Sequence, residues 1–311
     1  MTERCGNVPA DRPDLLREIE YLIRADATYI DAPTLGEEVL DRIDAFAARF
    51  LVYPSEHARH AHVLWIAHCW LMDCWEHTPR LLFISPEASC GKSHALIVTK
   101  HLVPRPKHVA DQTPAALYHS IDEGLERKGG RPTILHDELD AVFGTGENGR
   151  IRNEQMRRLI NAGHDRSETL ERKIGKQTKQ FQLYSPMALA GKMTIEDVPD
   201  TIRSRSVVVP MQRRLPDEKI ERWNRYGSPA EAEPLCWLLR YWVELVHGYA
   251  LDYVGPDRPM LPKDIEDRDA DVWEPLIAVA DAAGGEWPAR ARAAAVALVA
   301  ANKDRASRAW A

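Results

Sequence analysis

The chain has 311 residues, is 44% hydrophobic and carries a formal net charge of −6. That length buries at least one full core with room for a smaller second one, and the acidic balance excludes a globally basic nucleic-acid binder; any such contact must come from a local patch. The cysteines Cys5, Cys69, Cys74, Cys90 and Cys236 show no metal-ligand rhythm. Cys69 and Cys74 fall in an apolar helical pattern as packing residues, which fits free thiols in a reducing cytoplasm. Neither an N-terminal leader pattern nor an apolar run of about 18 residues is present, so neither export nor a membrane partner is expected.

In chain order, residues 1–35 read as a polar lead-in with a short amphipathic helix over 15–23. Residues 36–78 read as a helical segment that packs on the α/β region after it: a helix over 36–50, then one opened by Ser55-Glu56 and running to Trp75, with Val63, Ile66, Cys69, Trp70 and Cys74 on its apolar face. From residue 79 to 215, short apolar strands alternate with helices. Strands are expected at 81–84, 107–110, 133–136, 181–184, 187–190 and 206–210, and helices at 92–102, 114–125 and 153–162. That rhythm specifies an α/β domain with a mostly parallel sheet covered on both faces. The remainder, 216–311, reads as an α-helical lid with helices at 218–226, 230–249, 270–283 and 288–302. The stretch 144–149 reads as a simple loop.

Two segments of the α/β region carry chemistry. The apolar run 81–84 leads into Ser85-Pro86-Glu87-Ala88-Ser89-Cys90-Gly91-Lys92-Ser93 and then His94, at the start of a helix. A helix N-terminus presents unpaired N–H groups and the positive end of the helix dipole, which suits a phosphate. Gly91 allows close backbone approach, Lys92 supplies a cation for β/γ-phosphates, and the Ser93 hydroxyl can ligate Mg²⁺. Pro86 replaces the first glycine of the G-x-x-x-x-G-K-[ST] pattern, and its fixed φ presets the turn. Downstream, Thr133-Ile134-Leu135-His136 ends in Asp137-Glu138. Asp137 sits where a carboxylate holds the Mg²⁺ shell, and Glu138 where a base orients the attacking water. His136 reads as a core histidine. Together these segments predict ATP and Mg²⁺ binding with hydrolysis.

Two further segments extend the site. Arg203 and Arg205 just precede the last strand, where a guanidinium can reach a neighbouring subunit's γ-phosphate; an ion pair with Asp197 or Asp200 is the plainer alternative. Lys192 or Thr194, after the strand 187–190, occupies the position of a γ-phosphate sensor.

The segments 82–93, 132–140, 159–164 and 186–205, together with Asp267-Arg268-Asp269-Ala270-Asp271-Val272-Trp273-Glu274-Pro275-Leu276 and Ala283-Gly284-Gly285-Glu286-Trp287-Pro288, resemble the helicase-like domain of unknown function found in phage, prophage and plasmid replication proteins. The likeness covers residues 36–303, and the Ser-Pro-Glu opening of the loop matches it too. More broadly the chain resembles AAA+ P-loop NTPases. That resemblance implies a homo-oligomeric ring or spiral with ATP at each subunit interface. It makes Arg203 and Arg205 arginine-finger candidates and Arg268 the candidate for a nucleotide-sensing arginine acting in cis.

Residues 166–179 read as a β-hairpin turning near Gly175, with Lys173, Lys176 and Lys179 about its tip. Lysines on a pore hairpin can engage DNA phosphates without reading sequence; a solvated charged hairpin is the alternative. These features support two expectations of function. The first is an AAA+ ATPase of mobile-element DNA replication, a helicase-like motor or its loader. The second is a nucleotide-regulated adaptor that binds and remodels or inhibits a host replication protein. The aromatic residues Trp223, Trp237, Trp242 and Trp310 read either as an exposed partner surface or as core.

Overall fold

The computed structural model describes residues 32–110, 112–126, 130–142, 147–252 and 258–308. The expected helix at 15–23, Cys5, Trp310 and residues 144–146 of the expected loop lie outside the described residues. Helices α1 (Ala32–Phe50) and α2 (Glu56–Leu71) lead into β1 (Arg80–Ile84), α3 (Lys92–Lys100), β2 (Pro106–Val109), α4 (Pro114–Glu126), β3 (Thr133–His136), α5 (Leu139–Val142) and α6 (Glu147–Ala162). Then come β4 (Thr169–Ile174), β5 (Gln177–Gln182), β6 (Met187–Gly191), α7 (Asp200–Arg203), β7 (Ser206–Pro210), α8 (Gly227–Asp252), α9 (Asp267–Ala283) and α10 (Trp287–Arg308).

Five strands form one parallel sheet in the order β2-β3-β6-β1-β7, while β4 and β5 form a separate antiparallel hairpin. Successive side chains of each strand go to opposite faces, as the pleat requires. On β1, Leu81 and Phe83 join one core with α1–α3 and α8–α10; Leu82 and Ile84 join the other, with residues of α4, α6 and the hairpin. Strand β6 gives Ala188 and Ala190 to the first face and Met187 and Leu189 to the second, so the helices of the first face can approach its backbone closely. The expected lid helices α8–α10 share their core with α1 and α2, so residues flanking the sheet at both ends form one helical layer.

Helix α2 lies inside that layer. Ser55 caps it, its Oγ accepting from the Ala58 N–H at 3.2 Å, and nearly every side chain from Ala58 to Leu71 is buried. The expected run to Trp75 ends earlier: a 3₁₀ turn, Met72–Cys74, closes it. Two other expectations are corrected. Residues 218–226 form no helix; they run as an extended strap whose Glu221 N–H donates to the Arg49 carbonyl at 2.7 Å and whose Glu221 carboxylate takes the Arg49 guanidinium, leaving no role for internal helix pairs. Residues 181–184 are no separate strand; β5 ends at Gln182, and Leu183 and Tyr184 are buried beyond it, the Tyr184 hydroxyl donating to the Met72 and Trp75 carbonyls. Cys69, Cys74 and Cys90 are buried free thiols, His136 is a core residue, and Trp242 is fully buried. No helix among the described residues is long and apolar enough to cross a membrane.

This packing can be tested in two ways. Helix α1 crosses α8 and α9 at Gly36, where an added Cβ would lie 2.6 Å from both Ala283 Cα and Trp242 Nε1. Gly36→Ala should therefore lower stability by about 1–3 kcal/mol in urea denaturation, against the helix-propensity gain that the same change brings at an exposed site. The second test concerns pH. On α2, His62 Nε2 meets Thr99 Oγ1 at 2.8 Å and Nδ1 meets the Tyr53 hydroxyl at 2.7 Å. Thr99 Oγ1 donates to the Ala95 carbonyl, so it accepts from Nε2–H and leaves Nδ1 to accept from Tyr53, which only a neutral ring allows. Burial lowers both His62 and His68 from 6.5 to about 3. Between those values the unfolded chain binds protons that the folded one refuses. Stability is thus complete above about pH 6.5 and should fall toward pH 3, by up to about 1.4 kcal/mol per pH unit for each histidine. A flat urea midpoint between pH 7 and about pH 5 would contradict this assignment.

Candidate functional site

The carboxyl ends of the parallel strands gather one set of loops along one edge, the usual place for a crevice in an open α/β sheet. After β1, the loop 85–93 turns through Ser89 and Gly91, both left-handed with φ of 62° and 81°, into the N-terminus of α3. An added Cβ at Gly91 would meet only Met211 Cε at 3.5 Å, so the glycine is required by its backbone angle, with space to spare. The first N–H groups of α3 lack intrahelical partners and face the loop. Lys92 Nζ arcs back across it to donate to the Glu87 carbonyl at 2.7 Å, and the Glu87 N–H donates to Ser85 Oγ at 3.3 Å. Glu87, Ala88, Ser89 and Ser93 are exposed.

After β3, the Asp137 N–H makes the last rung to the Val109 carbonyl, and Asp137 Oδ1 accepts from the Glu138 N–H at 2.9 Å. Glu138 itself is left-handed, φ 59°, an uncommon state for a residue with a Cβ, and its side chain is exposed. Asp140, which the sequence pattern did not single out, accepts from the Lys192 N–H at 2.8 Å. It ties the loop after β3 to the loop after β6. At that junction an added Cβ on Gly191 would lie 3.0 Å from Leu139 Cβ. The result is a cleft of about 400 Å³ lined by residues 88–94, Asp137, Glu138, Asp140, Gly191 and Lys192. Thus Lys92, Ser93, Asp137, Glu138 and Lys192 come together; Thr194 does not, its N–H and hydroxyl both donating to Asp197 Oδ2. The hydroxyl and carboxylate oxygens of Ser93 and Asp137 form a donor set suited to Mg²⁺.

A second cavity of about 450 Å³ shares Ser89, Cys90, Gly91 and His94 with the cleft. Its walls are Phe50, Leu51 and Val52 on one side and Met211, just after β7, with Ile220 and Trp223 of the strap on the other. The Trp223 ring stands edge-on to Phe50 at 4.9 Å and to His94 at 6.0 Å. Arg49 fastens this wall: it pairs with Glu221 and Glu231, each at 2.7 Å, and lies over the Phe50 ring. Sequence patterning offered no sign of this cavity, because its walls come from segments some 170 residues apart, as the Arg49–Glu221 contact records.

The arginines lie elsewhere. Arg205 precedes β7, beside the start of β1, so it occupies the sheet edge opposite the cleft. There Nη1 donates to the Thr201 carbonyl at 2.8 Å, and burial together with the nearby charge of Arg268 lowers its pKa. Arg203 pairs with Asp200, the plainer of the two expectations for it. Arg268, the expected cis nucleotide contact, lies near Asp271 and Arg205. Its Nη1 lies 3.6 Å from Asp271 Oδ2, and its charge bears on Arg205, away from the loop 85–93.

The hairpin forms as expected and turns at Gly175, φ 61°. Lys173 and Lys176 are exposed on it. Lys179 is not free: it pairs with Asp122 of α4 and lies over the Phe181 ring, while Arg172 Nη2 donates to the Tyr118 hydroxyl at 3.2 Å.

Residues 210–310 match the model of a family described as a protein of unknown function, DUF3631. The described part of that stretch includes the strap and α8–α10. Over 94 residues the chain is 43% identical to an uncharacterized 28.9 kDa protein in the xis 5′ region of Saccharopolyspora erythraea; the match covers 30% of this chain and 34% of that relative. The chain spans about a third of the length of the curated relative it matches.

The strap's attachment gives a direct test. Arg49→Ala should release residues 215–226 to faster amide exchange and proteolysis while leaving exchange in β1, β3 and β6 unchanged. Unaltered protection of the strap would mean that Trp223 packing alone holds it.

Proposed function

We propose that the chain is a Mg²⁺-dependent ATPase of mobile-element DNA replication, a helicase-like motor or its loader, that hydrolyses ATP between subunits of an oligomer. The observation that carries this reading is the cleft where Lys92, Ser93, Asp137 and Glu138 converge at a helix N-terminus, opening into the apolar cavity beside Trp223. On this reading the triphosphate lies along residues 88–93, with Lys92 leaving the Glu87 carbonyl to neutralise it, and the base enters the cavity between Phe50 and Trp223. Ser93 and Asp137 would hold Mg²⁺, which supplies charge neutralisation on the phosphates when bound. Glu138, fixed by its left-handed backbone, positions the attacking water.

Arg205, on the opposite sheet edge, is out of reach of its own cleft and so suits the nucleotide of a neighbouring subunit, where a guanidinium stabilises the charge that develops as phosphate leaves. Exposed Lys173 and Lys176 are the hairpin's contribution to a DNA contact. The docking of Lys179 onto Asp122 favours the second reading to that extent, a nucleotide-regulated adaptor for a replication protein.

Steady-state ATP turnover with and without single-stranded DNA, alongside binding of a fluorescent ATP analogue, tests both. Glu138→Gln should retain binding and lose turnover by roughly 10²-fold or more, whereas Lys92→Ala should lose both. Turnover that DNA stimulates supports the motor; DNA-independent turnover supports a loader or the adaptor. Equal turnover in wild type and Glu138→Gln would remove Glu138 from that role, and absence of both turnover and analogue binding in wild type would sink the ATPase assignment.

A further inference from the structure

At the sheet edge opposite the cleft, three side chains from separate parts of the chain bring ligand atoms within 4.8 Å of one another: His77 before β1, His164 after α6, and Asp271 in the second turn of α9. His164 is almost fully buried. Its Nδ1 meets the Thr78 carbonyl at 2.9 Å, which puts the proton on Nδ1 and leaves the Nε2 lone pair bare. Nε2 has no hydrogen-bond partner, an uncompensated polar atom in the interior.

His77 stacks on His164 with ring centroids 5.1 Å apart and lies between two carboxylates. Its Nδ1 is 3.8 Å from Asp271 Oδ1, and its Nε2 is 3.7 Å from Asp165 Oδ2. Both separations exceed hydrogen-bond length. The first is close to the spacing of about 3.3 Å expected for two tetrahedral ligands each about 2.0–2.1 Å from one ion. Asp271 Oδ2 is turned to Arg268 instead, which leaves Oδ1 for the ion. The Thr78 carbonyl behind His164 is the outer contact that orients a metal-bound histidine.

We propose that His77, His164 and Asp271 form a binding site for a divalent transition ion, with Zn²⁺ the best match to two imidazoles and a carboxylate. The ion would fasten α9 to the edge of the sheet and hold Asp271 beside Arg268. This site shares no residue with the cleft and does not depend on the nucleotide reading.

Cobalt substitution tests it on the full-length protein without nucleotide. Wild type should bind one equivalent of Co²⁺ with the intense visible bands of a four-coordinate site, and Zn²⁺ should displace it and raise Tm. His77→Ala and Asp271→Asn should each lose the bands and the Tm increase; both side chains are partly exposed, and the asparagine is isosteric, so the fold persists. Asp137→Asn, in the cleft, should keep both signals. Absence of bound Co²⁺ at micromolar free concentration, or bands that survive in His77→Ala and Asp271→Asn, would overturn the proposal.

Discussion

Parallel pairing is the constraint on which the rest of the molecule depends. Every hydrogen-bonded neighbour in the five-stranded sheet runs the same way, so all loops leaving strands lie on one edge and all entering them on the other. Residues 85–93, 137–140 and 191–192 are assembled by direction alone, although they are far apart in sequence. The same direction sends Arg205, His77 and the end of α6 to the far edge. A single antiparallel strand in the middle would have mixed the two populations.

Parallel sheets need cover on both faces, and here the cover is unequal in character. One face is met by the apolar helix α2, buried along most of its length; the other by α4, α6 and the docked hairpin. Arg80 joins the second layer to the sheet. Its guanidinium is fully buried and donates to the Ile160 carbonyl at 3.0 Å and the Ser185 carbonyl at 2.7 Å. Ile160 lies in the last turn of α6, where carbonyls lack intrahelical partners and the dipole favours a cation. Burial lowers the Arg80 pKa to about 9, so the group remains charged at neutral pH. Gly163 is what admits it, because a Cβ there would lie 2.7 Å from Nη2.

The central strands β1, β3, β6 and β7 were legible because each is a short buried apolar run, and β3 falls on its expected residues, 133–136. The loop 85–93 and the pair Asp137-Glu138 stood out because each is contiguous in sequence, and the fold brings both to one cleft. Residues 218–226 were misread because a charged, helix-compatible composition says nothing of Arg49, which gives that segment a better set of partners than its own neighbours. Asp140 escaped notice because its partner is a backbone N–H contributed by another strand's exit.

Helices α1 and α2 share one core with α8–α10, contacts that span most of the described chain. Such pairings close very long loops and load the topology with non-local contacts, which slows folding and raises contact order. During synthesis the apolar surface of α2 would emerge well before the helices that cover it. The nascent chain would hold a hydrophobic helix without its partners until α10 left the ribosome, an interval in which chaperone capture competes with aggregation.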